Sequence, residues 1–196
     1  MRLFTELKRV TELLENYPNQ WAICGGVAAS IYRASARYTD DIDFALIDSD
    51  SITAKELATK IIKELGYQEY QGFVPDPENE SKQLNALVCA RGMNDDRFKG
   101  IDFLLPVQYW VEKAVNLAQS NLIDYGFAVL PTITPESLIF SKFIALNSNA
   151  ERYKDLDDIQ EIIKSNQINL EFLQLEITNC PIKFKPEIIK LLENIK

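Results

Sequence analysis

Residues 41–47 alternate acidic or small residues with large apolar ones, and this pattern constrains the fold more strongly than any other segment. Because the large apolar residues fall on every second position, the segment predicts a β-strand with one buried face. The same alternation places Asp41 and Asp43 together on the opposite face. Two carboxylates so close repel each other, and a shared divalent cation would remove that repulsion.

A second segment, residues 100–105, repeats the alternation and carries Asp102 on its polar face. Residues 83–90 and 100–105 are typical of an antiparallel pair. If the second acidic strand lies beside the first, Asp102 joins Asp41 and Asp43, and the three can hold Mg²⁺ or Mn²⁺ together with a nucleoside triphosphate (NTP). We therefore predict that Asp41 and Asp43 are metal ligands. Asp102 is predicted to be a further ligand or the base that deprotonates an attacking hydroxyl.

A glycine pair, Gly25 and Gly26, lies between two predicted elements. Residues 21–24 are short and apolar and predict a strand, whereas residues 27–32 are small and apolar and predict a helix packed on a sheet. A turn without Cβ atoms exposes backbone N–H groups, and the positive end of a helix dipole attracts anions. We therefore expect Gly25 and Gly26 to cradle the triphosphate.

The composition excludes several kinds of chemistry. The 196 residues include no histidine, which excludes catalysis by Ser-His-Asp or Cys-His groups and zinc sites that need His ligands. The net charge of −8 argues against a broad surface for nucleic acid. Three widely spaced cysteines suit buried thiols in a reducing compartment. Charges recur every few residues at the start of the chain, so we expect no signal peptide, no membrane span and a cytoplasmic location.

The order of predicted elements indicates an α+β fold, in which a mixed sheet flanked by helices precedes a helical C-terminal half. We place the boundary so that residues 1–131 form the α/β domain and residues 132–196 the helical subdomain. Thr134 as N-cap and Pro135 at the first helical position begin the helical part. We predict helices at residues 2–16, 53–65, 110–119, 135–148, 154–165, 169–176 and 185–195, a strand at 125–130, a loop at 75–79 and a turn at 92–96.

Two stretches carry a resemblance to a known family, namely CGGVAASIY at residues 24–32 and RYTDDIDF at residues 37–44. Their glycine pair and Arg-x-Thr-x-Asp-Ile-Asp motif resemble the nucleotidyltransferase superfamily, which has a polymerase-beta-like fold, and within it the bacterial abortive-infection toxin branch. SKFIAL at 141–146 and RYKDLDDI at 152–159 resemble the helical segment of that branch. The resemblance implies transfer of a nucleoside monophosphate from an NTP to an acceptor with release of pyrophosphate. Gly26 replaces the serine that is usual in the wider superfamily.

The resemblance also suggests nucleotide-binding residues beyond the glycines, namely Arg37, Thr39 and Lys142. Arg37 could bind phosphate or form an ion pair with one of the neighbouring aspartates. Lys142 could reach the triphosphate or extend to solvent, and the triphosphate is the preferred interpretation. The charged residues that follow are interpreted as a solvated start of a helix: Arg152, Lys154, Asp155 and Asp158.

Two other functions remain open at this stage. The chain could be a catalytically silent domain that binds an antitoxin or another regulatory protein, and the position of Asp102 relative to Asp43 would distinguish this from an enzyme. It could also be a phosphoester hydrolase that uses carboxylates and a metal but releases no pyrophosphate from a triphosphate. The acceptor could be a small molecule, a protein or a transfer RNA, and the sequence leaves the choice open.

Overall fold

The computed structural model describes residues 2–35, 37–76, 79–91 and 98–193, which form the predicted α+β fold. A five-stranded mixed sheet has the order β1-β2-β5-β4-β3, and a two-stranded antiparallel sheet pairs β6 with β7. The strands are β1 (Trp21–Cys24), β2 (Asp41–Leu46), β3 (Gln68–Asp76), β4 (Asn79–Arg91), β5 (Gly100–Leu104), β6 (Leu122–Asp124) and β7 (Val129–Pro131).

The helices surround the larger sheet and dominate the C-terminal part of the chain. They are α1 (Arg2–Leu14), α2 (Gly25–Tyr32), α3 (Ala54–Leu65), α4 (Val111–Ala118), α5 (Pro135–Ser148), α6 (Tyr153–Ser165), α7 (Leu170–Asn179) and α8 (Pro186–Glu193). Among the described residues, no helix is both long and apolar enough to span a bilayer. The domain boundary between residues 131 and 132 stays a prediction.

Strand β2 lies at the centre of the acidic region because of its two neighbours. It pairs with β1 in the antiparallel sense and with β5 in the parallel sense. The parallel register places Asp43 opposite Asp102, as the alternation in the two segments predicts. Strand β4 continues the sheet beyond β5, antiparallel to it, with Cys89 opposite Asp102.

Two apolar clusters cover the two faces of the larger sheet. Ile42 and Phe44 face a cluster built with α1 and α3. Ala45, which shares the other face with the two aspartates, packs in a cluster with residues of α2, α4 and α5. The acidic face is therefore the face that carries the C-terminal helices, and the aspartates lie where this cover begins.

Local sequence signals set several helix ends, and the cap at Thr134 was predicted. Thr53 and Glu56 form a reciprocal capping box at the start of α3, and Gly66 ends that helix in the left-handed conformation. Thr134 caps α5 by accepting a hydrogen bond from the backbone N–H of Ser137. One boundary differs, since Gly25 and Gly26 form the first turn of α2 instead of a separate turn before it.

Two predictions about strands were wrong. Within the expected loop at residues 75–79, Pro75 and Asp76 belong to β3 and Asn79 begins β4, and residues 77 and 78 lie outside the described residues. Proline is tolerated there because β3 is an edge strand, paired on one side only. The expected strand at 125–130 is instead a turn followed by β7, since Gly126 adopts a φ of 80° and reverses the chain. The predicted turn at 92–96 lies outside the described residues.

Candidate active site

Three partly buried carboxylates converge on the acidic face. Asp41 and Asp43 come from β2 and Asp102 from β5, and each offers an oxygen within 4.8 Å of the others. The structure thus brings together the three acidic residues singled out in the sequence. Carboxylate oxygens without nitrogen or sulfur ligands are the donor set that Mg²⁺ and Mn²⁺ prefer.

The proximity of these groups changes their acidity. Burial, aided by the charges of Asp41 and Asp102, raises the pKa of Asp43 to about 7. Burial also raises the pKa of Asp102, although the guanidinium of Arg91 opposes that shift. A cluster that resists full ionisation in the absence of a cation has the electrostatic character of a cation site.

The glycine pair is fitted around Asp43. Gly25 has a φ of 57°, and a Cβ atom there would lie 1.8 Å from Oδ2 of Asp43. The backbone N–H of Gly26 donates a hydrogen bond of 3.3 Å to the same oxygen. A side chain at position 25 would therefore require both an unfavourable backbone conformation and displacement of the carboxylate.

Thr39 and Arg37 lie against the other glycine. A Cβ atom on Gly26 would lie 2.3 Å from Oγ1 of Thr39 and 2.6 Å from Nη1 of Arg37. Thr39 donates from Oγ1 to Oδ1 of Asp41 at 2.8 Å, which orients that carboxylate. Arg37 Nη1 is buried and has no hydrogen-bond partner within the part of the chain that the structure describes. An unpaired buried donor beside a glycine turn is suited to an anionic ligand.

A buried carboxylate, Asp158 of α6, holds three cations behind the glycine pair. Its oxygens lie 2.7 Å from Nη1 of Arg33, 3.2 Å from Nε of Arg37 and 2.7 Å from Nζ of Lys142. The prediction of a solvated helix start was wrong for Asp158, which is completely buried. An ion pair with a neighbouring aspartate was one of two alternatives for Arg37, and the structure instead pairs it with Asp158 of α6.

Lys142 is buried between α5 and α6. Its Nζ donates to Oδ1 of Asp155 at 2.7 Å, and Asp155 also pairs with Arg152. The prediction of a solvated position was wrong for Asp155 as well, because only 6% of this residue is exposed. Lys142 therefore does not extend to solvent. Its ammonium group pairs with the carboxylates of Asp155 and Asp158, and the residue also borders a cavity.

A cavity of about 660 Å³ opens beside the carboxylates. Its lining includes both glycines, Asp41, Asp43, Arg37 and Lys142, together with apolar residues of the β3–β4 hairpin, the segment before α4, α5 and the segment after α7. This volume suits a nucleotide, and the mixed lining offers polar groups for phosphates and apolar surface for a base. Asp102 and Thr39 are not among the lining residues.

Comparison with known families gives the decisive observation. The family model described as nucleotidyl transferase AbiEii toxin, type IV toxin–antitoxin system, matches residues 11–179. This chain belongs to the AbiEii family. It is therefore a nucleotidyltransferase, as the glycine pair and the Asp-Ile-Asp motif indicated. No curated protein matches the chain at a significant level.

One solved structure agrees in fold with the AbiEii family assignment. The solution structure of the antibiotic-resistance factor ANT(2'')-Ia is similar over 87% of this chain and 86% of its own, with a TM-score of 0.53 and 14% identity. At that identity the likeness concerns the fold alone. An antigenic nucleotidyltransferase-like protein from Paracoccidioides brasiliensis matches 88% of this chain and 84% of its own, with 18% identity and a TM-score of 0.48.

Sequence reasoning missed three polar residues of this AbiEii-family site. Arg33 and Asp158 were overlooked because an arginine after a helix and an aspartate near a helix start are ordinary surface residues. Arg91, which pairs with Asp102, follows an apolar run and precedes a polar turn. The only available signal for Asp158 was its position one helical turn after Asp155, which places both on one helix face.

Proposed function

We propose that this chain transfers a nucleoside monophosphate from an NTP to an acceptor hydroxyl and releases pyrophosphate, with Mg²⁺ or Mn²⁺ as cofactor. The observation that carries the proposal is the convergence of Asp41, Asp43 and Asp102 beside a cavity of about 660 Å³. A silent domain would have no need of three mutually repelling carboxylates next to a nucleotide-sized cavity. The position of Asp102 close to Asp43 therefore favours an enzyme.

The carboxylates would hold the cation through oxygen atoms only. Asp41 and Asp43 are the ligands, since both border the cavity, and Asp102 lies beside them with an oxygen within 4.8 Å of theirs. A bound divalent cation would supply charge neutralisation for the phosphate oxygens and for the pyrophosphate that leaves. The raised pKa of Asp43 fits this role, because a cation replaces the proton that this carboxyl otherwise retains.

The triphosphate would lie in the cavity against the start of α2. Arg37 offers it a buried N–H group that no described residue accepts, and the helix dipole favours negative charge there. The N–H of Gly26 binds Asp43 in this structure, so a shift of that carboxylate onto a cation would free it for a phosphate oxygen. Thr39 keeps Asp41 oriented, and Lys142 adds positive charge to the cavity wall.

Asp102 would serve the acceptor. It stands outside the cavity lining and next to Asp43, so an acceptor hydroxyl can approach from the side opposite the nucleotide. In the reaction the hydroxyl oxygen forms a bond to the α-phosphorus, and the bond from that phosphorus to the oxygen bridging to the β-phosphorus breaks. Asp102 takes the hydroxyl proton, and its raised pKa makes it a better base than an exposed aspartate.

The family assignment also bears on the partner proteins and the acceptor. Because the AbiEii family model describes a type IV toxin–antitoxin system, we propose that an antitoxin opposes this chain in the cell. The acceptor is a hydroxyl of a small molecule, a protein or a transfer RNA. We propose that the reaction takes place in the cytoplasm, where NTPs are made.

The test is to incubate the protein with Mg²⁺, a cell extract and each of the four NTPs labelled at the α-phosphate. The label should move to an acceptor, and one pyrophosphate should appear for each label transferred. Asp43→Asn and Asp102→Asn should abolish both products, whereas Asp50→Asn, an exposed aspartate away from the cluster, should preserve them. Hydrolysis without pyrophosphate would support the hydrolase instead, and no product from any NTP would contradict the proposal.

A further inference from the structure

Arg91 lies on the same face of the sheet as the three carboxylates. It is the last residue of β4, two positions beyond Cys89, which faces Asp102 across the β4–β5 pair. Its Nη1 atom lies 2.5 Å from Oδ1 of Asp102. The guanidinium therefore forms an ion pair with this oxygen, which accepts no hydrogen bond from the described residues.

The backbone around Arg91 is shaped to hold it there. Nη1 also donates to the carbonyl oxygen of Ala90 at 3.0 Å and to that of Ile101 at 3.4 Å. A Cβ atom on Gly100 would lie 2.3 Å from the same Nη1 atom. The absence of a side chain at position 100 leaves room for both the Ala90 carbonyl oxygen, 2.3 Å from such a Cβ, and the guanidinium of Arg91, which lies across β5.

The other cations close to the cluster are engaged elsewhere. Lys99 pairs with Asp40 at 2.5 Å, and Lys142 pairs with Asp155 and Asp158. Of the described cationic residues, Arg91 is the one whose ion pair is with a carboxylate of the cluster. One divalent cation and one guanidinium together balance the three negative charges, so a second divalent cation would gain little from a cluster that is already neutral.

We propose that Arg91 is a positioning residue that acts as a fixed cation on Asp102, so that the nucleotide-free site holds one divalent cation and not two. Asp41 and Asp43 would bind that cation, while Arg91 keeps Asp102 in place. The inference rests on the proposed function, because it assumes that the carboxylates bind a divalent cation. It adds a role for a residue that the nucleotidyl transfer mechanism above does not use.

The experiment measures how many Mn²⁺ ions bind to each chain in the absence of nucleotide, by electron paramagnetic resonance of the unbound ion. The wild type should bind one. Arg91→Gln should bind two, because the fixed charge is lost and Asp102 becomes available. Arg91→Lys, which retains the charge, should return the number to one. Arg9→Gln, which removes an arginine paired with Glu6 on α1, should leave it at one.

The outcomes separate the inference from the function on which it rests. Two ions on the wild type, or one ion on Arg91→Gln, would overturn the role of Arg91 while leaving a working cation site. No bound Mn²⁺ on the wild type would contradict the proposed function itself. Circular dichroism of each variant shows whether it is folded, and the wild-type count alone can refute the inference if Arg91→Gln does not fold.

Discussion

Arg37 and Asp158 join the segment before β2 to the C-terminal helices, with Nε of Arg37 3.2 Å from Oδ1 of Asp158. The carboxylate is completely buried and also contacts Arg33 and Lys142. One anion therefore fixes three cations, two from the connection between α2 and β2 and one from α5. The position of Arg37 beside the glycine pair depends on α6, far away in sequence.

The first prediction concerns the stability that this contact provides. Asp158→Asn leaves three buried cations without their common anion, so the free energy of unfolding should fall by about 3–5 kcal/mol. The melting temperature should fall by on the order of 10 °C. Asp157→Asn is the matched control, because Asp157 pairs with Arg33 at 2.8 Å but is mostly exposed. That change should cost about 1 kcal/mol or less. Equal losses in thermal unfolding would contradict the prediction.

The contrast between Asp157 and Asp158 also shows what the sequence could and could not predict. The alternation around Asp43 and Asp102 depends on neighbouring residues alone, so the two acidic strands and their shared face could be predicted. The burial of Asp158 depends on Lys142 and on arginines more than a hundred residues away, and no local pattern signals such contacts. The prediction of a loop at Pro75 was wrong because proline is a local signal for a loop. Its place in a strand depends on the position of β3 at the sheet edge, which the local sequence does not show.

The second prediction tests the fit between Gly25 and Asp43. Gly25→Ala places a Cβ atom against the carboxylate and forces alanine into a left-handed conformation. Stabilisation by Mg²⁺ in thermal unfolding should be lost, because the carboxylate must move. Gly66→Ala is the control, since Gly66 has a φ of 76° with no atom within 4 Å of the added Cβ. It should cost ~1–2 kcal/mol and retain the response to Mg²⁺. If Mg²⁺ stabilises Gly25→Ala as much as it stabilises the wild type, Asp43 does not require a glycine at position 25.

The third prediction concerns pH. In the folded protein Asp43 keeps its proton up to about pH 7, whereas its unperturbed pKa is 3.8. Between these values the folded state binds more protons than the unfolded state, so rising pH destabilises the metal-free protein. Asp43→Asn lacks this proton but can still accept a hydrogen bond from Gly26. We compare the melting temperatures of Asp43→Asn and the wild type with a chelator present. The difference, variant minus wild type, should increase by roughly 5 °C as the pH rises from 4.5 to 7.5.

The control for this pH effect is Asp50→Asn, which changes an exposed aspartate outside the cluster. Its melting temperature should follow that of the wild type across the same range. Adding Mg²⁺ should reverse the trend, because the cation binds the ionised carboxylates and so stabilises the folded protein more as pH rises. A constant difference between Asp43→Asn and the wild type at all pH values would show that Asp43 titrates normally.

The fourth prediction assigns the unpaired N–H of Arg37 to phosphate. Arg37→Gln and Arg33→Gln each remove an ion pair with Asp158, but Arg37 borders the cavity and Arg33 does not. Loss of a charge-assisted hydrogen bond to phosphate should weaken NTP binding by about 1.5–3 kcal/mol, which is on the order of tenfold to a hundredfold. Nucleoside binding should change much less, because a nucleoside has no phosphate for Arg37 to contact. Arg33→Gln should lower stability without this selective loss.

Isothermal titration with an NTP and with the matching nucleoside, in Mg²⁺, measures both effects on the same protein. The ratio of the two affinities is the informative quantity, because any general loosening of the site lowers both and leaves their ratio unchanged. If the affinity for the NTP divided by the affinity for the nucleoside falls in Arg37→Gln but not in Arg33→Gln, the phosphates bind beside Gly26. If both variants lower the ratio equally, the buried network around Asp158, and not the free N–H of Arg37, determines how the triphosphate is held.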